Sequence, residues 1–258
     1  MLHKLMDIFK SRWPEVTLVV VFQVGLMLLL ERMMLSSGVE TPGKSQIPDG
    51  ALFVLGVGCA LMGVIWQMLY LGFLRTAAID GAAPQEPLTL LLTGRAFFWR
   101  FLGAQFVIGV AVWVVSVVLA MLAGMMLGYK EAEAIPQWLL TAAGIGAIAL
   151  FVKPFFLIPA FILAMDFSAM EALAMMRQIR LGELGGLLKG YAVGLGVIVT
   201  AAVLSALAPK GGAVYYIASG LNYLVQSATA LTLMLATVLF VAEGAEPETT
   251  TAETDDKD

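Results

Sequence analysis

Six long apolar runs dominate the hydrophobic pattern of the chain. About 20 apolar residues are enough to cross the hydrocarbon core of a bilayer as a helix, so each run is a candidate span. The runs cover approximately residues 16–35, 51–74, 101–128, 138–165, 190–208 and 213–242. They predict an all-α integral membrane protein with six transmembrane helices, which together form a single domain over residues 1–242.

Two longer connections, residues 75–100 and 166–189, separate spans two and three and spans four and five. In residues 168–184 an apolar stripe falls at helical spacing, which predicts an amphipathic helix; the stripe is Ala172, Met175, Met176 and Ile179. Residues 86–103 have a similar, weaker pattern. We therefore expect two amphipathic connecting helices, and we interpret residues 51–128 and 138–208 as two parallel internal repeats.

Composition agrees with a membrane protein. The 258 residues are 60% hydrophobic and only 13% charged, whereas soluble domains are nearer half apolar and a quarter charged. Residues 243–258 are the exception, because they hold seven acidic residues and one lysine without an aromatic residue. This segment is predicted to be a disordered acidic tail.

The distribution of basic residues orients the six spans. Ten lysines and arginines fall on the side of the two long connections and both termini, and four fall on the other side. Because basic loops face the cytoplasm, both termini are predicted to be cytoplasmic. Five of the ten are candidates for contact with lipid headgroups or a partner: Arg95, Arg100, Arg177, Arg180 and Lys189.

Lys153 interrupts the fourth apolar run, in the stretch FVKPFFLIPAF over residues 151–161. A charge near the bilayer centre costs about 2.5–3.5 kcal/mol on insertion scales, so such a residue is expected to face a partner. Pro154 and Pro159 lack an N–H and release carbonyl groups one turn earlier. Amide side chains near the middle of spans one and six are further acceptors: Gln23, Asn222 and Gln226.

Three hypotheses follow for Lys153. It is a structural residue satisfied by amides and carbonyls, an anion-accepting site within the membrane, or a neutral lysine involved in proton movement.

The region from Lys153 into the fifth span resembles a known bacterial pattern. The motif is KPFFLIPAFILAMDFSAMEALAMMRQIRLGELGGLLKG, in which a basic residue and a proline precede an acid and a helical stretch leading to Lys-Gly. The matching positions are Lys153, Pro159, Asp166, Ala172, Leu173, Lys189 and Gly190. It is similar to the membrane domain attached to some glycerophosphodiester phosphodiesterases and to the YciC-like six-span proteins. The resemblance implies a six-helix inner-membrane fold and no established activity.

Catalytic patterns are not found in the sequence. There is one cysteine, Cys59, and one histidine, His3, and the spans contain no pair of acids for acid–base chemistry. We therefore predict a non-enzymatic protein without a cofactor or metal, and no nucleic-acid partner. The predicted role is an accessory one that organises membrane lipids, including anionic phospholipid, or a partner protein or second copy. The alternative is a transporter or lipid-translocating permease with its site at Lys153.

Overall fold

The computed structural model describes residues 2–36, 49–129, 136–180, 182–207 and 213–244, and these residues form helices and turns without a strand. The helices are α1 (Leu2–Ser11), α2 (Trp13–Ser36), α3 (Asp49–Ile79), α4 (Pro87–Met126), α5 (Gln137–Met165), α6 (Ala169–Gln178), α7 (Gly185–Ala206) and α8 (Ala213–Glu243). The predicted disordered tail begins at residue 243, but Glu243 is the last residue of α8 and Gly244 lies in a turn. The rest of the tail, from residue 245 onward, lies outside the described residues.

Six of the helices, α2, α3, α4, α5, α7 and α8, are long and apolar enough to span a membrane. They coincide with the six apolar runs, so the prediction of an all-helical multi-pass membrane protein is confirmed. The orientation of the termini and the internal repeats stay predictions.

Two features differ from the predicted elements. Residues 86–103 do not form a separate connecting helix, because α4 begins at Pro87 and continues through them to Met126. Proline is well suited to the first turn of a helix, where its missing N–H costs nothing. In addition, α1 was not predicted; it is a short amphipathic helix whose Leu5 and Ile8 are buried.

The chain divides into two compact units. The first, here called the core unit, comprises Met1–Phe98 and Leu181–Asp258, and the second, here called the hairpin unit, comprises Trp99–Arg180. The core unit therefore contains α1, α2, α3, the first turns of α4, α7 and α8. The hairpin unit contains the rest of α4, α5 and α6.

The core unit is held together partly by a very close helix contact. A Cβ atom added to Gly72 of α3 would overlap the backbone of Leu90, and one added to Gly94 of α4 would overlap the backbone of Met68. The two helices thus meet backbone to backbone, which only small residues allow. This contact fixes the first turns of α4 against the last turns of α3.

In the hairpin unit, α5 ends in a tight turn. Asp166 caps α5 in the left-handed conformation, with φ of 58°, and Phe167 stacks on Phe161 with ring centroids 6.1 Å apart. Ser168 then begins α6 as its N-cap. The turn allows α6 to return along α5, against which it packs.

Candidate functional site

The position of α6 is defined by a contact at its far end. Lys153 of α5 donates a hydrogen bond to the backbone carbonyl of Ile179, the C-cap of α6, at 2.5 Å. Lys153 lies twelve residues before Met165, the last residue of α5, which corresponds to about 18 Å along a helix. A lysine side chain cannot reach across that distance, so α6 must run back along α5 to the level of Lys153.

The amphipathic pattern predicted for α6 agrees with this packing. Ala172 and Met176 are buried, while Arg177 and Arg180 are exposed. The helix is shorter than the predicted stretch, because it ends at Gln178.

The fold-back brings together basic residues that are far apart in the sequence. Arg177 lies in the last turn of α6, two residues before Ile179, and Arg180 directly follows Ile179, so both are close in the chain to the carbonyl that Lys153 contacts. We call Lys153, Arg177 and Arg180 the basic end of the hairpin unit. No ion pair of Arg177 or Arg180 occurs in the part of the chain that the structure describes.

The opposite end of α6 carries the acidic residues. Arg100 of α4 forms an ion pair with Asp166 at 2.6 Å, and both side chains are at least half exposed. Glu171 lies in the first turn of α6. Among the described residues of the hairpin unit, Asp166 and Glu171 are the only acids, so charge is separated along α6.

Glu171 is also part of the N-terminal cap of α6. The backbone N–H of Ser168 donates to the Glu171 carboxylate at 2.7 Å, and the N–H of Glu171 donates to Ser168 Oγ at 3.3 Å. These hydrogen bonds, with a smaller contribution from the nearby charge of Arg100, lower the pKa of Glu171. The reciprocal bonds satisfy two donors at the start of the helix and make its N-terminus well defined.

A large groove separates α4 from the α5–α6 pair, with a cavity volume of about 750 Å³. One wall is the face of α4 between residues 99 and 111. The other walls are Phe151, Pro154 and Ile158 of α5, and residues 168–177 at and after the start of α6. Its volume lies within the range of small-molecule sites, about 300–1,000 Å³.

The lining of the groove is apolar except near its two ends. Arg100 and Ser168 lie toward the start of α6, and Arg177 lies toward the basic end. Apolar walls with a few polar groups are typical of sites that bind an amphiphilic molecule. The arrangement can hold a hydrocarbon chain in the groove and an anionic group on an arginine.

The other sequence-predicted residues are not among those that line this groove. Gln23, Asn222 and Gln226 belong to the core unit, where Gln226 donates to the Asn222 side chain at 3.0 Å. Arg95 and Lys189 are exposed residues of the core unit, and Pro159 of α5 is buried. The carbonyl that accepts from Lys153, that of Ile179, was not among the acceptors considered from the sequence.

A buried ion pair in the core unit was also not predicted. Arg12 and Glu15, at the junction of α1 and α2, are almost entirely inaccessible, and the Arg12 guanidinium bonds the Glu15 carboxylate. Arg12 also donates to Thr76 Oγ1 at 2.7 Å, and Glu15 accepts from the Gln85 N–H at 2.7 Å. The sequence signal is an arginine and a glutamate three residues apart at the start of an apolar helix.

This pair is structural in character. The Arg12 guanidinium also lies 5.0 Å from the centre of the Phe73 ring. The charges of Arg12 and Glu15 are therefore compensated by each other and by neighbouring groups of the core unit. Through these contacts the pair connects the α1–α2 junction to α3 and to the segment before α4.

A second polar contact joins α2 to α8. Tyr215 and Ser219 both donate to one carboxylate oxygen of Glu31, at 2.5 and 3.1 Å. Glu31 lies nineteen residues after Arg12, about 28 Å further along the chain's helical path. Polar contacts near both ends of α2 therefore connect this helix to other helices of the core unit.

No group of three histidine, cysteine, aspartate or glutamate side chains that could hold a metal ion occurs among the described residues. Comparison of the chain with protein-family models, with curated proteins and with solved structures finds no match. The resemblance to the phosphodiesterase membrane domain and the YciC-like proteins therefore stays a prediction, and the functional argument depends on the geometry.

Proposed function

We propose that this protein is a non-enzymatic, multi-pass protein of a bacterial inner membrane, with both termini in the cytoplasm, that holds a membrane lipid in the groove of the hairpin unit. Its role is accessory: it keeps a lipid in a defined position within the bundle. Binding a lipid requires a groove of suitable shape and charge but no chemical step. It therefore needs no catalytic pattern, and none was found in the sequence.

The observation that carries this proposal is the apolar groove between α4 and the α5–α6 pair. The groove has a volume of about 750 Å³, and its walls on α4 and α5 belong to helices long enough to span a membrane. Acyl chains are the most abundant apolar molecules in a membrane. Gly103 lines the groove, and the space beside it is open, because a Cβ atom added there would meet no atom within 4 Å. An acyl chain fits such a surface through dispersion contacts.

The test is to fill the groove and measure the bound lipid. Gly103→Leu places a side chain in open space within the groove. Gly109→Leu is the matched control, because Gly109 lies on the same helix, also has open space around its Cβ position and does not line the groove. Native mass spectrometry of the purified full chain in mild detergent counts the lipids that remain bound.

We expect Gly103→Leu to reduce the retained lipid several-fold and Gly109→Leu to leave it at the wild-type level. Equal retention in all three proteins would contradict lipid binding in the groove.

A lipid-translocating permease is the second candidate. The observation that favours it is the position of Lys153, which lies close to the middle of the apolar stretch Leu139–Met165. A transport site is expected near the middle of the bilayer. The hydrogen bond from Lys153 to Ile179 supports a structural role for this lysine instead, so we place the accessory function first.

The two functions are separated by reconstituting the protein in liposomes with a fluorescent phospholipid. A membrane-impermeant quencher then reports how fast the lipid moves between leaflets. The accessory function predicts the rate of protein-free liposomes, and a protein-dependent increase that Arg177→Gln removes would favour the permease.

A further inference from the structure

The basic end of the hairpin unit lies within the apolar length of α5. The apolar stretch Leu139–Met165 has 27 residues, which corresponds to about 40 Å of helix, whereas the hydrocarbon core is about 30 Å thick. Lys153 is about 18 Å from the Met165 end. Even if all of the excess length projected at that end, Lys153 would still lie about 8 Å inside the hydrocarbon boundary.

The fold-back of α6 places Arg177 and Arg180 near the same level. Both side chains are exposed, and Lys153 is half-buried. Two acids of the hairpin unit, Asp166 and Glu171, are at the other end of α6, where Asp166 is paired with Arg100. Cations at this depth are costly unless an anion or water compensates them, and such residues commonly mark a ligand site.

The groove leads to this basic end. Arg177 is one of its lining residues, and Pro154, which follows Lys153 in the chain, is another. An apolar groove lined by Arg177, for which the described residues provide no ion pair, matches a molecule with a hydrocarbon chain and an anionic head. Arginine is well suited to the head group, because its planar fork of N–H donors binds phosphate oxygens in pairs.

We propose that the basic end formed by Lys153, Arg177 and Arg180 binds the phosphate of a phospholipid of net negative charge, whose acyl chain lies in the groove. This inference rests on the proposed lipid-holding function and adds the class of lipid. Lys153 contributes through the N–H groups that it does not use on the Ile179 carbonyl. A zwitterionic choline lipid is disfavoured, because its fixed positive charge would be brought toward three cations.

The experiment is a competition between headgroups on the purified full chain. The protein in mild detergent receives equal amounts of phosphatidylglycerol and phosphatidylcholine with identical acyl chains, and native mass spectrometry measures the ratio that is retained. The variants are Arg177→Gln and Arg180→Gln, which change exposed side chains and should fold normally. Lys10→Gln is the charge-matched control, because Lys10 is an exposed residue of α1 in the core unit.

We expect the wild type and Lys10→Gln to retain phosphatidylglycerol about tenfold over phosphatidylcholine. Each arginine variant should lower that ratio by a factor of three or more, and the double variant should bring it close to one. Equal retention of the two lipids by the wild type, or a ratio that the double variant leaves unchanged, would overturn the inference.

The outcomes also separate this inference from the proposed function. If both lipids are retained equally and Gly103→Leu removes both, the groove holds lipid and only the headgroup inference fails. If neither lipid is retained, the proposed function fails as well. Stabilisation of the protein by inorganic phosphate, without any preference for phosphatidylglycerol, would assign the basic end to a free anion and overturn the lipid inference.

Discussion

Lys153 and Ile179 are 26 residues apart in the chain, and a hydrogen bond of 2.5 Å joins the lysine ammonium to the isoleucine carbonyl. This contact determines the geometry of the hairpin unit. It brings the end of α6 to the middle of α5, and with it the arginines that form the basic end. It also provides a donor at the C-terminus of α6, where the last carbonyl groups have no N–H donor within the helix.

Replacing Lys153 tests this structural role. Lys153→Met keeps most of the side-chain length and leaves the Ile179 carbonyl without its donor, a loss of about 1–3 kcal/mol. Removing the charge from an apolar region offsets only part of this loss, because the Ile179 carbonyl already compensates the Lys153 ammonium in the wild type. We expect a net loss of about 1 kcal/mol, or roughly 2–4 °C in the melting temperature measured in mild detergent.

Lys189→Met is the control for this substitution, because Lys189 is exposed and lies at the start of α7. Its melting temperature should match the wild type. A Lys153→Met protein that melts at the wild-type temperature or above would show that the fold does not need this hydrogen bond.

The sequence was sufficient to predict the six long helices and part of the buried face of α6. Apolar periodicity identified six spans. Of the predicted stripe, Ala172 and Met176 are buried in the structure, and Met175 and Ile179 are half-buried. It did not show that α6 folds back along α5, because periodicity defines the apolar face of a helix and not what covers it. The groove is lined by residues 99–111, 151–158 and 168–177, which are far apart in the sequence, so it has no local signature.

The buried pair Arg12–Glu15 should be a major source of stability. Arg12 is fully buried, so Glu15→Gln would leave its charge uncompensated, which typically costs 3–5 kcal/mol. We expect the melting temperature to fall by roughly 10 °C. Replacing both residues with leucine should recover part of the loss, because no buried charge then remains.

An exposed ion pair provides the comparison. Lys4 and Glu243 are 3.6 Å apart, and both side chains are more than a third exposed. Glu243→Gln should change the stability by less than about 1 kcal/mol. Similar melting temperatures for Glu15→Gln and Glu243→Gln would contradict the account of the buried pair.

This pair also explains a limit of the sequence interpretation. Arg12 was counted as one of the basic residues that orient the spans. Its burial depends on Thr76, which is 64 residues away, and on the Gln85 N–H that bonds Glu15. Those contacts arise only once α3 and the segment before α4 are in place.

The close contact between α3 and α4 predicts that alanine substitutions at two glycines of α3 change the stability in opposite directions. Gly72→Ala would push a methyl group into the Leu90 backbone, and overpacking of this kind costs about 1–3 kcal/mol. Gly58 of the same helix has no atom within 4 Å of its Cβ position. Gly58→Ala should therefore gain up to about 1 kcal/mol in helix propensity.

Thermal unfolding followed by circular dichroism in mild detergent measures both variants. The expected result is a lower melting temperature for Gly72→Ala and an equal or higher one for Gly58→Ala. If both alanine variants shift in the same direction by the same amount, α3 and α4 do not touch at Gly72.

The cap of α6 makes a small contribution that depends on pH. Hydrogen bonds at Ser168 lower the pKa of Glu171, so its carboxylate stabilises the fold at pH values above the ordinary carboxyl pKa. That contribution is lost as the pH falls through the lowered pKa. The difference in melting temperature between wild type and Glu171→Gln should therefore shrink on acidification, and a difference that is constant with pH would exclude a role for the carboxylate.

The most direct test of lipid binding in the groove is photo-crosslinking with phosphatidylglycerol that carries a diazirine on its acyl chain. The labelled peptides of the full chain are identified by mass spectrometry, with and without excess unlabelled lipid. We predict labelling of α4 within residues 99–111 and of α6 within residues 169–177. Excess phosphatidylglycerol should suppress it, phosphatidylcholine should not, and Gly103→Leu should weaken it. Labelling spread over the exposed apolar faces of all six long helices, and competed equally by both lipids, would contradict the account.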